Sequence, residues 1–310
     1  MKLLLTSTSF TDTPGKHHDL LKSIGAEVTI LRGPLKEEVL LPIIADYDAV
    51  VCGDDEYTRE VLTKGRLGKL RILSKYGIGL DKIDLNAAAD LGIMVANTPG
   101  VNHITVAEHA FTLILSFYKN YYKEVSYVRE GSWKRLIGNE IYDKKLAIFG
   151  MGRIGREVAI RAKAFGLQVF AYDPFIDEAF VKQHNLHVCQ DLDELFTTAD
   201  IITLHSPLTD ATRNVMDSKV FASLKNKPLV VNTARAGLID KAALIEALDN
   251  SLIVGYVTDV MWEEPIAKDD ELLKYENVYI TPHIGSRTYE SVVRQGSAAV
   301  ENLIKLINKL

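Results

Sequence analysis

Short apolar runs alternate with helical patterns along the whole chain, and this alternation constrains the fold more than any other feature. Such runs are typical of strands that are buried on both faces of a parallel sheet. A first set comprises Lys2–Thr6, Glu27–Leu31, Ala49–Cys52, Leu70–Ser74 and Ile93–Asn97. A second set comprises Lys145–Phe149, Gln168–Tyr172, Ile201–Leu204, Leu229–Asn232, Ile253–Thr258 and Val278–Thr281. The pattern predicts an α/β fold with two doubly wound parallel-sheet domains.

The composition excludes several classes of protein. The chain has 310 residues, a formal net charge of -5 and basic residues that are scattered along its length, which argues against nucleic acid or an anionic membrane as partner. The most apolar stretch, Ala110–Phe117, is far shorter than the roughly 20 residues that cross a bilayer. No signal peptide is recognised at the N-terminus. Cys52 and Cys189 form no C-x-x-C pair and predict neither a disulfide framework nor a zinc site. We expect a cytoplasmic chain without a metal.

Two longer helices are predicted outside the alternation. The first starts at Thr105, where Thr105 and Glu108 have the T-x-x-E spacing of a capping box. Its side chains are apolar on nearly every face, which predicts burial either in a core or against another subunit. We favour the subunit interface and keep the core as the alternative. The second helix covers Tyr289–Leu310, and packing back onto the first domain would make that domain discontinuous.

The segment Gly150–Gly155 reads G-x-G-x-x-G, a pattern that is weak by itself. Here it follows the predicted strand Lys145–Phe149, opens a helical pattern, and is followed by the strand Gln168–Tyr172 and Asp173. This is the strand–helix–strand context that a dinucleotide fingerprint requires. The segment therefore predicts a dinucleotide-binding loop.

Each fingerprint position has a physical reason. Gly150 permits the tight turn, Gly152 lets the backbone approach a pyrophosphate, and Gly155 allows the helix to pack closely on the sheet. The helix N-terminus supplies N–H groups and partial positive charge to the phosphates. Asp173 accepts hydrogen bonds from ribose hydroxyls and repels a 2′-phosphate, and no arginine follows it directly. NAD is therefore predicted in preference to NADP.

Three ionisable residues follow three later strands of the second set. Arg235, Glu264 and His283 come after the strands that end at Asn232, Thr258 and Thr281. Open α/β sheets bind ligands beyond the carboxyl ends of their strands, so we expect these side chains to converge. Arginine holds a carboxylate with a fixed fork, and histidine exchanges a hydroxyl proton near neutral pH. A glutamate beside the imidazole favours imidazolium. The three types together predict hydride transfer on a 2-hydroxy acid.

With these motifs in view, the chain resembles the D-isomer-specific 2-hydroxyacid dehydrogenase family, in particular its phosphoglycerate dehydrogenase-like members. The resemblance covers essentially the whole length. The motifs that carry it, in order, are Gly77-Ile78-Gly79-Leu80-Asp81, Asn97-Thr98-Pro99-Gly100, Val106-Ala107-Glu108, Gly150–Gly155, His205-Ser206-Pro207-Leu208-Thr209, Asn232–Gly237, Asp259–Pro265 and Thr281–Gly285.

The resemblance implies a domain organisation and an activity. Residues 1–101 and 285–310 would form a flavodoxin-like substrate domain, and residues 102–284 would form an inserted Rossmann NAD domain. The helix that starts near Thr105 would make a homodimer. The implied function is an NAD-dependent oxidoreductase that interconverts a small, anionic D-2-hydroxy acid and its 2-oxo acid, with 3-phosphoglycerate-like substrates among the candidates.

The resemblance also implies roles for individual residues. The catalytic set is Arg235, Glu264 and His283. The cofactor-binding set is Gly150, Gly152, Arg153, Ile154, Gly155, Asp173, His205, Pro207, Thr209, Thr233, Ala234, Asp259 and His283. The substrate-binding set is Lys75, Tyr76, Gly77, Ile78, Gly79, Arg235 and His283.

The sequence leaves alternatives open for the substrate and for the function. The resemblance implies that Lys75 stands at the position where phosphoglycerate dehydrogenases have an arginine that faces the phosphate. Lys75 is equally well interpreted as a solvated lysine at a strand end. Trp262 would narrow or reshape the site. Glu264 argues against formate-type relatives, which resemble this pattern but have glutamine beside the histidine. A phosphite-type dehydrogenase on the same fold, or an NAD-sensing corepressor-like binding protein, remains the alternative function.

Overall fold

The computed structural model describes residues 1–310, which divide into two compact units. One unit, here the split unit, comprises Met1–Asn102 and Ser286–Leu310. The other, the inserted unit, comprises His103–Gly285.

The split unit is built on a five-stranded parallel sheet. Its strands are β1 (Lys2–Leu5), β2 (Glu27–Ile30), β3 (Ala49–Cys52), β4 (Ile72–Lys75) and β5 (Met94–Ala96). Its helices are α1 (Thr8–Asp12), α2 (Lys16–Ser23), α3 (Glu37–Leu40), α4 (Arg59–Leu67), α5 (Leu85–Asp90) and the C-terminal α13 (Tyr289–Ile307). The strand order β2-β1-β3-β4-β5 is the flavodoxin-like order.

The inserted unit is built on a seven-stranded sheet whose strands all pair in parallel. Its strands are β6 (Lys145–Phe149), β7 (Gln168–Tyr172), β8 (His187–Val188), β9 (Ile201–Leu204), β10 (Leu229–Asn232), β11 (Gly255–Thr258) and β12 (Val278–Ile280). Its helices are α6 (His103–Tyr118), α7 (Tyr121–Arg129), α8 (Arg153–Ala164), α9 (Glu178–His184), α10 (Leu192–Thr197), α11 (Ser218–Ser223) and α12 (Lys241–Asp249). The order β12-β11-β10-β9-β6-β7-β8 is the Rossmann order extended by one strand.

Apolar side chains cover both faces of each sheet. Strands β3, β9, β10 and β11 are buried at every position, because helices cover the sheet above and below. In the split unit, α13 packs along β4 and α2 and buries Val292, Val300 and Leu303. The predicted fold of two parallel-sheet α/β domains is confirmed.

Every predicted strand is present, and strand β8 and helix α7 are among the elements that were not predicted. Strand β8 has only two residues and no apolar run, and α7 has no buried residue. Neither element therefore carries the pattern by which the others were found.

The predicted start of the long helix is wrong by two residues. Helix α6 begins at His103, so Thr105 lies inside its first turn and is buried instead of capping the helix. Most apolar side chains of α6 pack against α8, β10 and β11 of its own unit, which is why the helix is apolar all round. The core interpretation therefore accounts for most of its length. No helix in the structure combines the length and the apolarity that crossing a membrane requires.

Candidate active site

The site residues that the sequence predicts in the inserted unit follow the carboxyl ends of its parallel strands. Gly150 follows β6, Asp173 follows β7, His205 follows β9, Arg235 follows β10 and His283 follows β12. Because the strands run in the same direction, these residues share one edge of the sheet, the edge at which open α/β sheets bind ligands.

Two glycines of the fingerprint are required by packing. Gly150 has a φ of +98°, and a Cβ at this position would lie 2.7 Å from the backbone of His205 and of Ser206. A Cβ at Gly155 would collide with the carbonyl oxygen of Gly150. Side chains at either position would push the turn away from the next strand or the helix away from the turn.

Gly152 is different, because a Cβ there would meet no protein atom within 4 Å. The residue is the N-cap of α8, and no side chain caps the helix. The first N–H groups of α8 therefore face open space, as an N-terminus that receives a phosphate group must. This open space suits a dinucleotide pyrophosphate.

Asp173 lies directly beside the glycine turn. Its Oδ2 accepts a hydrogen bond from Met151 N at 2.7 Å, and its Oδ1 accepts one from Phe175 N at 2.8 Å. Each carboxylate oxygen has two lone pairs, so both retain capacity for ribose hydroxyls. The two backbone bonds fix the direction of the carboxylate before any ligand binds.

The other predicted cofactor residues contribute mainly backbone. The His205 imidazole points into the protein, where Nε2 contacts Thr203 Oγ1 at 2.8 Å and burial lowers the pKa to about 3. A neutral, buried ring offers little to a dinucleotide, and its backbone beside Gly150 is the available surface. Ala234 N donates to Asn232 Oδ1 at 3.0 Å, while the Thr233 hydroxyl is buried without a hydrogen-bond partner.

His283 and Glu264 are brought together by the structure. His283 Nδ1 lies 2.8 Å from Glu264 Oε2, and Met261 N donates to Glu264 Oε1 at 2.9 Å. When Nδ1 carries the proton and donates it to the carboxylate, Nε2 is the basic nitrogen. His283 also has a φ of +53°, a left-handed conformation that is uncommon for a residue with a side chain. The backbone is thus held in an unfavourable conformation that orients the ring.

Asp259 holds the loop that contains His283. Its two oxygens accept hydrogen bonds from Thr281 Oγ1 at 2.6 Å, Ile284 N at 2.9 Å and Gly285 N at 2.7 Å. His109 Nε2 lies 3.3 Å from Asp259 Oδ1. Burial alone would raise the pKa of Asp259, but the hydrogen bonds from His109, Thr281 and Ile284 outweigh it and lower that pKa. A buried carboxylate anchors both sides of the histidine turn.

Arg235 follows β10 in a turn that Asn232 organises. Asn232 Nδ2 donates to Arg235 O at 2.9 Å, and Arg235 Nη1 donates to Ala234 O at 2.8 Å. The guanidinium has five N–H donors, and this contact within the turn uses one of them.

The loop Gly77–Gly79 of the split unit is held by two residues to which the sequence motifs gave no role. Gly77 N donates to Thr98 Oγ1 at 2.9 Å, and Asn97 Nδ2 donates to Ile78 O at 2.7 Å. The amides of Ile78 and Gly79 donate to no protein acceptor. Successive unpaired amides make an anion-binding concavity.

Lys75 and Tyr76 lie deeper than either sequence interpretation expected. The Lys75 side chain is 4% exposed, and its Nζ contacts Asp54 Oδ1 at 2.5 Å and Gly53 O at 2.6 Å. The solvated-lysine interpretation is therefore wrong. The Tyr76 ring packs in the core of the split unit near Phe10, so its side chain is structural.

The comparison with known proteins identifies the family. Residues 111–285 match the family model for the NAD binding domain of D-isomer specific 2-hydroxyacid dehydrogenases. The chain belongs to this family. The predicted family and the predicted cofactor, NAD, are thereby confirmed.

Curated relatives and solved structures agree with this assignment. The chain is 39% identical over 296 residues to a D-3-phosphoglycerate dehydrogenase of Methanocaldococcus jannaschii, a match that covers 94% of this chain and 56% of the relative. It is 37% identical over 284 residues to a hydroxypyruvate reductase of Thermotoga maritima, covering 90% and 91% of the two chains. The apo-structure of Escherichia coli D-lactate dehydrogenase superposes with a TM-score of 0.87 at 28% identity, covering 100% of this chain and 98% of the other. The chain spans about half the length of the curated phosphoglycerate dehydrogenases it matches.

Proposed function

We propose that this protein is an NAD-dependent dehydrogenase that interconverts a small D-2-hydroxy acid and its 2-oxo acid. The observation that carries the proposal is the contact of 2.8 Å between His283 and Glu264. It lies at the strand-end edge that also carries the glycine turn and Asp173. An imidazole paired with a carboxylate at that edge is suited to exchanging a proton with a substrate hydroxyl.

The chain's own residues perform three tasks in this proposal. Arg235 binds the substrate carboxylate through its guanidinium fork. The amides of Ile78 and Gly79 are suited to an oxygen of a carboxylate. His283 Nε2 accepts the C2 hydroxyl proton during oxidation and returns it during reduction, while Glu264 stabilises the imidazolium. Bound NAD supplies the acceptor and donor of the hydride.

We further infer that the substrate lacks a second anionic group. The ammonium of Lys75 is already compensated by the carboxylate of Asp54, and the next residue, Asp55, is a second, buried carboxyl. A cation that is neutralised within its own unit attracts an additional phosphate weakly. Small 2-oxo acids such as hydroxypyruvate or glyoxylate therefore fit these residues better than 3-phosphohydroxypyruvate.

The test is NADH oxidation by the purified protein with a panel of 2-oxo acids. The panel comprises hydroxypyruvate, glyoxylate, pyruvate, longer-chain acids and 3-phosphohydroxypyruvate, with NAD reduction by phosphite run in parallel. We expect the highest kcat/KM with hydroxypyruvate or glyoxylate. A preference for the phosphorylated acid would overturn the substrate class but keep the chemistry. No turnover of any acid, despite NADH binding, would overturn the dehydrogenase proposal and favour a sensor.

We also propose a homodimer, with its contact surface shifted from α6 to the segment that follows it. Tyr121 and Tyr122 on α7 are mostly exposed, and Trp133 and Ile137 are 80% and 95% exposed. Exposed large apolar side chains concentrated in one segment are typical of a protein interface. Light scattering should give twice the chain mass, and Trp133→Ser with Ile137→Ser should shift the protein to monomer. A monomeric unmodified protein would contradict the proposal.

A cytoplasmic location remains the proposal for the chain. Cys52 and Cys189 are both free and buried, as in proteins of reducing compartments, where disulfides are rare. Fractionation of the native cells with an antibody to the chain tests this location.

A further inference from the structure

Three side chains of types that can ligate a metal lie at the β8 edge of the inserted unit, the sheet edge opposite to β12, the strand that His283 follows. His187, Cys189 and Glu194 present one nitrogen, one sulfur and one oxygen atom that all lie within 4.8 Å of one another. We propose that these residues form a binding site for a thiophilic divalent cation, with Zn²⁺ as the representative ion. The proposal is independent of the dehydrogenase activity.

The backbone brings the three residues to one place. His187 lies in β8, the last strand of the sheet, and Cys189 directly follows that strand. Residues two apart on an extended chain point to the same side. Cys189 N donates to Ala171 O of β7 at 2.9 Å, which continues the pairing beyond β8 and keeps the cysteine in an extended register.

Glu194 is aimed at the strand by its own hydrogen bonds. Glu194 N donates to Asp191 Oδ1 at 2.8 Å, and Gln190 N donates to Glu194 Oε2 at 2.7 Å. This reciprocal pair at the start of α10 is a capping arrangement. It leaves Oε1 directed at His187 Nε2, which is 2.9 Å away. The carboxylate is thus positioned without the help of an ion.

The distances are close to those of a tetrahedral zinc site. Zn²⁺ binds nitrogen and oxygen at about 2.0–2.2 Å and sulfur at about 2.3 Å, which places neighbouring ligand atoms about 3.3–3.8 Å apart. The contact between His187 and Glu194 must open slightly and the most distant pair must close by about 1 Å. His187 and Glu194 have half-exposed side chains, 53% and 40%, so both can make this adjustment. Water completes the fourth position.

The charges also balance. The two positive charges of Zn²⁺ are offset by one thiolate and one carboxylate, and the imidazole is neutral. The occupied site at the margin of the core therefore has no net charge. The thiolate is the form of cysteine that binds a metal, so binding releases the thiol proton. Mg²⁺ and Ca²⁺ prefer oxygen ligands and should not compete.

The test uses untagged, chelator-treated protein titrated with Zn²⁺ against a chromophoric chelator, and with Co²⁺ as a spectroscopic probe. We expect one Zn²⁺ per chain, a sulfur-to-cobalt charge-transfer band, and tighter binding as the pH rises. His187→Gln, Cys189→Ser and Glu194→Gln should each weaken Zn²⁺ binding by at least about tenfold. His184→Gln and Cys52→Ser are the matched controls and should leave binding unchanged.

Three results would overturn the site: no stoichiometric Zn²⁺, a cobalt spectrum without the thiolate band, or binding that survives both Cys189→Ser and His187→Gln. His187 is on the surface, so its variant should fold even where a change at the buried cysteine does not. Circular dichroism melting without metal checks each variant. NADH binding by the same samples separates this result from the proposed dehydrogenase function.

Discussion

The two units differ in how far the charged side chains at the ends of their parallel strands are exposed to solvent. In the inserted unit, the side chains of His283 and Glu264 remain 36% and 38% exposed while they contact each other. In the split unit, the Lys75 side chain is 4% exposed and its ammonium is held by Asp54 and by Gly53 O. The carboxyl ends of the strands therefore carry a partly exposed His–Glu pair in the inserted unit, and in the split unit an ion pair whose ammonium is buried.

The difference follows from what each charge has to do. A group that changes its protonation during a reaction must reach both its partner and the substrate, so it stays partly exposed. A charged group that takes no part in proton transfer stays buried only if a partner of opposite charge compensates the cost of its desolvation. The split unit accordingly offers backbone amides at Ile78 and Gly79, whereas the inserted unit offers ionisable side chains.

The largest effect is expected for His283→Ala. Removing a general acid–base group costs about 10²- to 10⁴-fold in kcat, while the glycine turn and Asp173, which contact the dinucleotide in our proposal, are unaffected. Steady-state kinetics should show this loss, and fluorescence titration should show a nearly unchanged NADH affinity. His184→Ala, in a different part of the inserted unit, is the control. Parallel losses of turnover and NADH binding would contradict the assigned role.

Glu264→Gln should have the next largest effect. The amide still accepts a hydrogen bond from Met261 N, but it has no charge with which to stabilise an imidazolium. Reduction of the 2-oxo acid needs the imidazolium, so activity should be lost at lower pH than in the unmodified protein. At alkaline pH we expect kcat/KM to fall about 10- to 100-fold. Glu263→Gln is the matched control, and an unshifted pH profile would show that the charge of Glu264 is not used.

The sequence predicted most of the fold because burial on two faces leaves a strong local pattern. Strands such as β3, β6 and β10 are continuous apolar runs and were predicted with their observed ends. The two-residue strand β8 carries no such run, because two residues are too few to show a pattern of burial. The start of α6 was misplaced because T-x-x-E spacing occurs inside helices as readily as at their ends.

The sequence predicts candidate site residues well where the proposed role depends on the residue type. It predicts them poorly where the role depends on neighbours in space. The sequence singled out His283, Glu264 and Asp173 because their chemistry and their place after strands coincide. The partner of Lys75 was missed, because Asp54 follows a different strand and no local pattern joins the two. For the same reason, the support that Asp259 gives to the histidine turn was not foreseen. These contacts exist only once the parallel strands are aligned.

Gly152→Ala should separate ligand binding from folding. A Cβ at Gly152 meets no protein atom within 4 Å, so the temperature of thermal unfolding should be unchanged. The NADH affinity should fall roughly tenfold, or about 1.4 kcal/mol, because the methyl group occupies the space beside the α8 N-terminus. Gly155→Ala is the contrast, since its Cβ collides with Gly150 O and overpacking costs about 1–3 kcal/mol of stability. A Gly152→Ala protein with unchanged NADH affinity would show that the open space is not the pyrophosphate site.

The smallest effect, and the most specific for the split unit, is expected for Asp54→Asn. The asparagine can still accept the hydrogen bond from Lys75 Nζ, but the positive charge of Lys75 is no longer compensated. Since Asp54 is 57% exposed, solvent screens the pair, and the change is worth at most about 1 kcal/mol. The kcat/KM for 3-phosphohydroxypyruvate relative to hydroxypyruvate should therefore rise about two- to fivefold, with glyoxylate unaffected. Asp90→Asn, which removes a carboxylate from the exposed pair with Arg59, should leave the ratio unchanged. If Asp54→Asn also leaves it unchanged, the pair does not face the substrate's tail, and the closed charge in the split unit is purely structural.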